Sequence, residues 1–376
     1  MRAGYGASVV PIERGEALGG YDARTGGAEG VLDPIEVHAL VFFDGSVRFA
    51  LVVVDVICVN VDLVESLRSA LVVHDIAHAW ITSTHTHAAP ETGCRPGGAS
   101  TPPGIAARLH TATVSAVRDA LADERNVEIS AGRVPSSGVG EARNLPRRGA
   151  QTVPVDFLTF REPNGEYRGT LFISPIHPTA LAARNVLASA DLAGAIRRAM
   201  TGRTGGWAVV ATGAAGDVST RTTRREQTPQ EADRLAQQLV DDVLACGPMS
   251  AGDPTDSARI RLDARVATLA PNLGGHPAAE VAVPVEAVNL GGIGMVAVAG
   301  ELFLGVGERI RAGTDPAAIV LGYANGYVGY LPDRDAPASY ETVVSPVDAR
   351  SIDLLVETIW RAAEAVGLRR MENDRR

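Results

Sequence analysis

The segment AHAWITSTHTHAAP, Ala77 to Pro90, decides how this chain reads. Its first half is apolar and β-branched, the composition of a buried strand, and Pro90 stops it. His85 and His87 alternate with threonine at its end. On a strand, residues two apart face the same side, so both imidazoles are expected to project together, roughly 6–7 Å apart at the backbone. Open α/β sheets bind ligands beyond the carboxyl ends of their strands, where this pair stands. One histidine could hold a metal while the other faces a substrate. The plainer alternative is a pair of surface or capping histidines.

The flanks supply the sheet this strand needs. VHALVFF (37–43) and FALVVVDVICV (49–59) read as buried strands, and LVESLRSALVV (63–73) has helical spacing. GIAARLHTATVSAVRDALADE (104–124) predicts a long amphipathic helix behind Pro102 and Pro103. In the middle of the chain NVEISAGRVP, FLTF and TLFISPIHP read as strands, NVLASADLAGAIRRAM as a helix, and WAVVATGAAGD as a strand entering a small-residue turn. Thr228, Pro229 and Glu231 predict a capping box that opens a helix ending at Cys246. The last third holds the strand-rich VEAVNLGGIGMVAVAGELF, a helix begun by ELFLGVGERIR, and AIVLGYANGYVGYL as a strand flowing into a loop. A final helix is expected over Pro346–Ala365, capped by Ser345. Interleaved strands and helices predict an α/β fold of mixed β-sheets flanked by helices. No linker divides the chain, so residues 1–368 read as one domain that could hold two pseudo-similar halves, with 369–376 as a frayed tail.

Composition excludes several chemistries. All 35 basic residues are arginine, which rules out a Schiff-base lysine, a Ser-Lys dyad and a P-loop lysine. A net charge of -9 argues against a nucleic-acid partner. Cys58, Cys94 and Cys246 are odd in number and widely spaced, so neither a disulfide framework nor a CxxC metal site is expected, and Cys58 reads as a core residue. The N-terminus carries no apolar run of signal-peptide type, and FALVVVDVICVNV is interrupted by Asp55 and too short to span a membrane. The expectation is a soluble cytoplasmic protein; oligomeric state is not legible.

Other candidates gain weight by position. His177 follows LFISPI as His85 follows WITST, although a lone histidine is more often structural. In ATGAAGDVST (211–220) Asp217 and Ser219 stand in a turn whose glycines let backbone amides approach a ligand; a plain capping turn is the alternative. Glu301 opens a helix after a strand, a place carboxylates favour through the helix dipole alone. Tyr323, Tyr327 and Tyr330 share a loop and could be rim packing. Arg143 and Arg147, in RNLPRR, could clamp a polar group or be solvated.

Taken in order, these segments resemble the catalytic domain of the neutral/alkaline ceramidase family. GYGASVV, LGGYDA and Asp33–Pro34 resemble its start, and STHTHAAPET its THTHSGP segment. IHPTALAARNVLASADLAG is similar to its HPTSM…N…SGD…G segment at His177, Pro178, Thr179, Asn185 and Asp191. GAAGDVST resembles its NAGDVSP turn, AGELF its PGE step, and YANGYVGY its NxYxxY loop. The resemblance implies one zinc per chain held by His85, His177, Glu301 and Tyr330, with the metal helping to remove the tyrosine proton. It implies hydrolysis of an N-acyl amide by metal-activated water, with His87 stabilising the oxyanion and Asp217 orienting the ligand shell or the water. Arg143 and Arg147 would bind the polar end of the substrate. Ser219 matches a serine given as nucleophile in some accounts of the family, yet no base stands near it in sequence. Departures are Thr220 in place of the GDVSP proline, a short region after THTH, and the missing immunoglobulin-like domain common in the family. They point to a small-molecule amide, lipid-like or not, and away from ceramide. The alternatives are a zinc-dependent lactonase, a cyclase forming a lactam or amide in a biosynthetic pathway, and a non-catalytic binding protein on the same fold.

Overall fold

The computed structural model describes residues 1–95, 99–143, 151–247, 250–251, 259–272 and 280–371. One element order occurs in it three times: three strands in antiparallel succession, a helix, a fourth strand parallel to the third, and a closing helix. In the first unit these are β1 (Arg2–Val9), β2 (Glu36–Phe43), β3 (Arg48–Val54), α1 (Val61–Leu71), β4 (His78–Ser83) and α2 (Pro103–Ala122). The second has β5 (Glu128–Ser137), β6 (Thr152–Arg161), β7 (Tyr167–Ser174), α3 (Asp191–Thr204), β8 (Trp207–Thr212) and α4 (Pro229–Cys246). The third has β9 (Ile260–Leu269), β10 (Val281–Leu290), β11 (Ile293–Val298), α5 (Leu304–Ala312) and β12 (Ile319–Leu321). A short α6 (Tyr340–Val344) and α7 (Ile352–Ala365) close it.

The three sheets bury one face against each other and the other against their own helices. Leu40, Leu51, Trp80, Leu158, Leu171, Val209, Val288, Met295 and Leu321, drawn from all three sheets, form one shared central core. Separate cores lie outside it, between each sheet and its helices. Strands covered on both faces must be apolar at nearly every position, which is why FALVVV reads as a continuous run. The α/β class of mixed sheets with outer helices is therefore observed, and β9 is an additional strand that the sequence patterning did not reveal.

Several boundaries moved for identifiable reasons. The run from Phe49 ends as a strand at Val54, because Asp55 turns its carboxylate to the amide of Glu36 (3.0 Å) and to Arg197 (2.9 and 2.6 Å). Cys58 thus lies in a loop and forms a disulfide with Cys94, which overturns the expectation of unpaired cysteines; sequence spacing says nothing about such a loop-to-loop approach. Thr228 caps α4 through the amide of Glu231, but the box is only half made: Glu231 accepts from Arg225 and Arg234 instead. Residues 185–190 are not helical, since Asn185 folds its side chain onto Leu187 and α3 begins at Asp191. The last helix begins at Ile352, not Pro346. Val347 bridges to Pro271, and Asp348 caps a 3-10 turn over Ala349–Ser351. Arg369 and Arg370, expected in a frayed tail, pair with Thr314–Asp315, held by ion pairs to Asp315 and Glu357.

The Asp55–Arg197 pair is buried on both sides and joins the first unit to the second. Removing one member of such a pair strands the other charge away from water. Asp55→Ala is expected to lower unfolding free energy by about 3–5 kcal/mol in urea titration. A loss below about 1 kcal/mol would show that water reaches Arg197.

Candidate active site

Parallel pairing brings the productive strand ends together. Val54 stands beside Ser83, Ser174 beside Thr212, and Ala297 beside Leu321, each pair closing its sheet at the same end. His85 and His87 follow β4, His177 follows β7, Asp217 and Ser219 follow β8, Glu301 follows β11, and Tyr323, Tyr327 and Tyr330 follow β12. Glu301 and Tyr330 are direct partners in a two-residue parallel bridge, and His177 bridges to Ser219. Asn325 mimics a strand edge: its side chain accepts from Ile81 N (2.9 Å) while its amide donates to Ile81 O (2.7 Å), docking the tyrosine loop on β4.

The two histidines after β4 converge by a route other than strand alternation. The strand stops at Ser83, and His85 has φ +60°, in the left-handed region that non-glycine residues rarely occupy. Tyr323 (φ +54°) and Asn325 (φ +62°) share that conformation. Strained backbone gathered at one site is a common accompaniment of function. The strand reading of HxH is thereby corrected: the kink at His85, not a pleat, turns both rings toward one point.

That point is built from opposed nitrogen lone pairs. His85 Nδ1 lies 2.6 Å from Ile57 O and His177 Nδ1 lies 2.8 Å from Ala215 O. A carbonyl only accepts, so each Nδ1 carries the proton and each Nε2 is left as a lone pair. Those two Nε2 atoms face one another at 3.0 Å, and His87 Nε2 is 3.3 Å from that of His85. Glu301 Oε2 lies 3.4 Å from the Nε2 of both His85 and His177. Acceptors facing each other without a proton between them call for a cation, and the donor set of imidazole nitrogen and carboxylate suits zinc. His85, His87 and His177 are close enough to share one ion.

Burial tunes these groups. It holds the His85 imidazole down to about 3 and those of His87 and His177 well below their ordinary value, so all three are neutral. Burial pushes the Glu301 carboxyl up to about 7, against the pull of Tyr327 (2.5 Å) and Tyr323 (3.2 Å), whose hydroxyls donate to it. These two tyrosines were legible only as rim packing, since nothing in sequence aims them at Glu301. Tyr330 is half-buried, with its hydroxyl well above the ordinary range through desolvation, and its ring stacks 6.4 Å from His177.

The remaining candidates take supporting positions. Asp217 Oδ1 accepts from Leu304 N (2.7 Å) and so fixes the start of α5 just beyond Glu301; burial pushes its carboxyl up to about 6. Ser219 is buried, and its hydroxyl accepts from Arg221 N at 3.3 Å; among the described residues no base hydrogen-bonds to it. Arg143 is half-buried beside the site, donating to Gly216 O (2.5 Å) and lying 3.3 Å from Glu341. Arg147 falls outside the described residues. A cavity of about 280 Å³ opens onto His85, His87 and Glu301, with Asp22, Glu91 and Arg95 at its mouth. Cys94 lines it too, so the disulfide ties this wall to the loop that carries Ile57.

No family model matches the sequence, and no curated protein matches it significantly. Solved structures do match in shape. A neutral ceramidase from Pseudomonas aeruginosa superposes with a TM-score of 0.79 at 16% identity, over 97% of this chain and 74% of that one. A ceramidase complexed with C2 superposes with a TM-score of 0.78 at 15% identity, again over 97% of this chain and 74% of the other. This chain has the neutral ceramidase fold. At such identity the likeness to neutral ceramidase carries the architecture and not the activity. What the ceramidase fold adds to the local geometry is a reason for the strand ends to converge here.

A metal ligand must be deprotonated, so a carboxyl raised to about 7 would give Glu301, as a ligand, a pH window. Below pH 7 a proton would compete with a metal at Glu301, whereas the neutral histidines would impose no competition. Divalent-metal affinity is expected to weaken by about one additional factor of ten per pH unit once pH falls below 7, with Glu301→Gln removing that inflection. Competition titrations from pH 6 to 8 measure it; equal slopes in both proteins would show that Glu301 is not the titrating ligand.

Proposed function

We propose that this protein is a zinc-dependent amidohydrolase that cleaves an N-acyl C–N bond. The observation that carries the reading is the opposed pair of Nε2 lone pairs on His85 and His177, with Glu301 Oε2 3.4 Å from both and both Nδ1 protons tied to carbonyls. His85, His177, Glu301 and Tyr330 would hold one zinc. When bound, zinc supplies a Lewis acid that acidifies water and polarises a carbonyl.

The chain's own groups divide the remaining work. His87, kept neutral by burial, offers a ring N–H to the oxygen on which charge develops. Glu301 keeps its orientation through the hydroxyls of Tyr323 and Tyr327. Asp217 holds the Glu301 segment by capping α5, and Arg143 presents a half-buried positive charge to the polar end of the substrate. Arg147 remains part of this proposal from sequence. Ser219 has a positioning role through its bridge to His177, because among the described residues no base hydrogen-bonds to its hydroxyl.

Cavity size and lining bear on the substrate. Small-molecule pockets run from about 300 to 1,000 Å³, and 280 Å³ with carboxylates and an arginine at its mouth suits a short, polar amide better than a long-chain lipid. Among the described residues no helix is long and apolar enough to cross a membrane. A cytoplasmic setting stays part of the proposal from sequence, and the Cys58–Cys94 disulfide weighs against it, since such bonds persist in oxidising compartments.

Purified protein is expected to carry about one zinc per chain, and His85→Ala and His177→Ala each to lose it. His87→Ala should keep its zinc and lose roughly 10²–10³ in turnover. If zinc leaves with His87, that residue is a ligand and the division of labour above is wrong. On a series of N-acyl compounds, turnover should favour short acyl groups; efficient cleavage of long-chain ceramide alone would overturn the substrate reading.

A further inference from the structure

The loop that forms one wall of the site is organised by a residue with no obvious chemistry. Arg24 is partly buried and, among the described residues, has no carboxylate within ion-pairing distance. Its guanidinium is engaged by backbone carbonyls instead. Nε donates to Ala183 O (3.3 Å), one terminal nitrogen donates to both Leu18 O (3.1 Å) and Gly19 O (2.8 Å), and the other donates to His87 O (2.6 Å). Three chain segments far apart in sequence meet on one planar group. They are the loop ending at Arg24, the histidine segment after β4, and the stretch following His177. Withdrawing a guanidinium from water without a counter-charge is costly, and a fork of fixed donors is the group suited to span several acceptors at once.

The loop presses on His87 from two further sides. Gly20, at φ +95°, lies so close that a Cβ there would fall 2.4 Å from His87 Cγ. The Tyr21 ring meets the His87 ring edge-on at 4.9 Å, and the Tyr21 hydroxyl donates to Leu181 O (2.8 Å). Behind them, Leu18 bridges to Pro90, and Gly19 N donates to Ala89 O (2.9 Å), so the loop is strapped to the segment that carries His87. The ring of His87 is thus held by contact, and its backbone by Arg24.

We propose that Arg24 is the positioning residue for His87: it fixes the His87 carbonyl and the Leu18–Arg24 wall in one register, so that the imidazole stays aimed at the point between His85 and His177. The assignment of a chemical task to His87 rests on the amidohydrolase reading; the geometric role of Arg24 does not.

The test compares zinc-loaded, full-length wild type with Arg24→Gln, Arg24→Lys and Arg24→Gly. Arg24→Gln should retain about one zinc per chain and lose roughly 10–10² in kcat, the scale expected for misplacing a group by about 1 Å. Its KM should change by less than about twofold, because uniform binding is untouched. Arg24→Lys should behave like Arg24→Gln, since an ammonium donates from one atom and cannot span carbonyls of residues 18, 19, 87 and 183. Millimolar guanidinium should restore part of the kcat of Arg24→Gly, whereas methylammonium should not. Independently of any substrate, amide hydrogen exchange at residues 18–24 and 85–89 should quicken in Arg24→Gln while that at 301–304 stays unchanged. Wild-type kcat in Arg24→Lys, or unchanged exchange at 85–89 in Arg24→Gln, would overturn the proposal, as would loss of zinc together with global unfolding in both variants. If wild type proves inactive on every N-acyl compound, the amidohydrolase reading fails, and the exchange measurement still decides the role of Arg24.

Discussion

Two imidazole lone pairs facing each other at 3.0 Å are the constraint around which the site is arranged. Neutral acceptors repel at that distance unless a cation lies between them. The protein removes every other way out. Carbonyls of Ile57 and Ala215 hold the Nδ1 protons, so neither ring can turn its N–H toward the other, and burial keeps both from taking a second proton. Fixing a ring through its far nitrogen is how metal-binding histidines are generally oriented. Here both anchoring carbonyls come from turns directly after strands, so their precision derives from the sheets.

Convergence of those strand ends follows from repeating one unit around a shared core. Each unit adds its fourth strand parallel to its third, so two chain ends emerge on the same side of every sheet. Packing three such sheets against one another brings these ends together, and no single unit owns the site. The first supplies His85 and His87, the second His177 and Asp217, the third Glu301 and the tyrosines. Stability of the packing and geometry of the site are coupled for that reason. The buried Asp55–Arg197 pair joins the first two units within a few residues of Ile57, whose carbonyl orients His85.

Charge placement shows the same economy. With no lysine in the chain, every cation is a planar guanidinium that can serve several acceptors. Arg143 lies among carbonyl, carboxylate and tyrosine beside the site, Arg197 grips Asp55 with two nitrogens, and Arg24 gathers carbonyls from separate segments. None of these roles has a linear signature, because the partners lie between 5 and 198 positions away in sequence.

The sequence by itself determined the α/β class, the decisive strands and the residues that end them, though not β9 or the start of α3. Hydrophobic periodicity and proline or glycine punctuation are local properties, and His85, His177 and Glu301 stand immediately after apolar runs. Tertiary structure alone decided how those residues meet. The left-handed turn at His85 replaced the expected strand pleat, because docking of Asn325 on Ile81 and the pull of Ile57 O outweigh local preference. The aim of Tyr323 and Tyr327 at Glu301, the Cys58–Cys94 bond and the grip of Arg24 on His87 were equally hidden. Each joins loops that approach only after three sheets have packed, and an approach of that kind leaves no periodic trace in a chain.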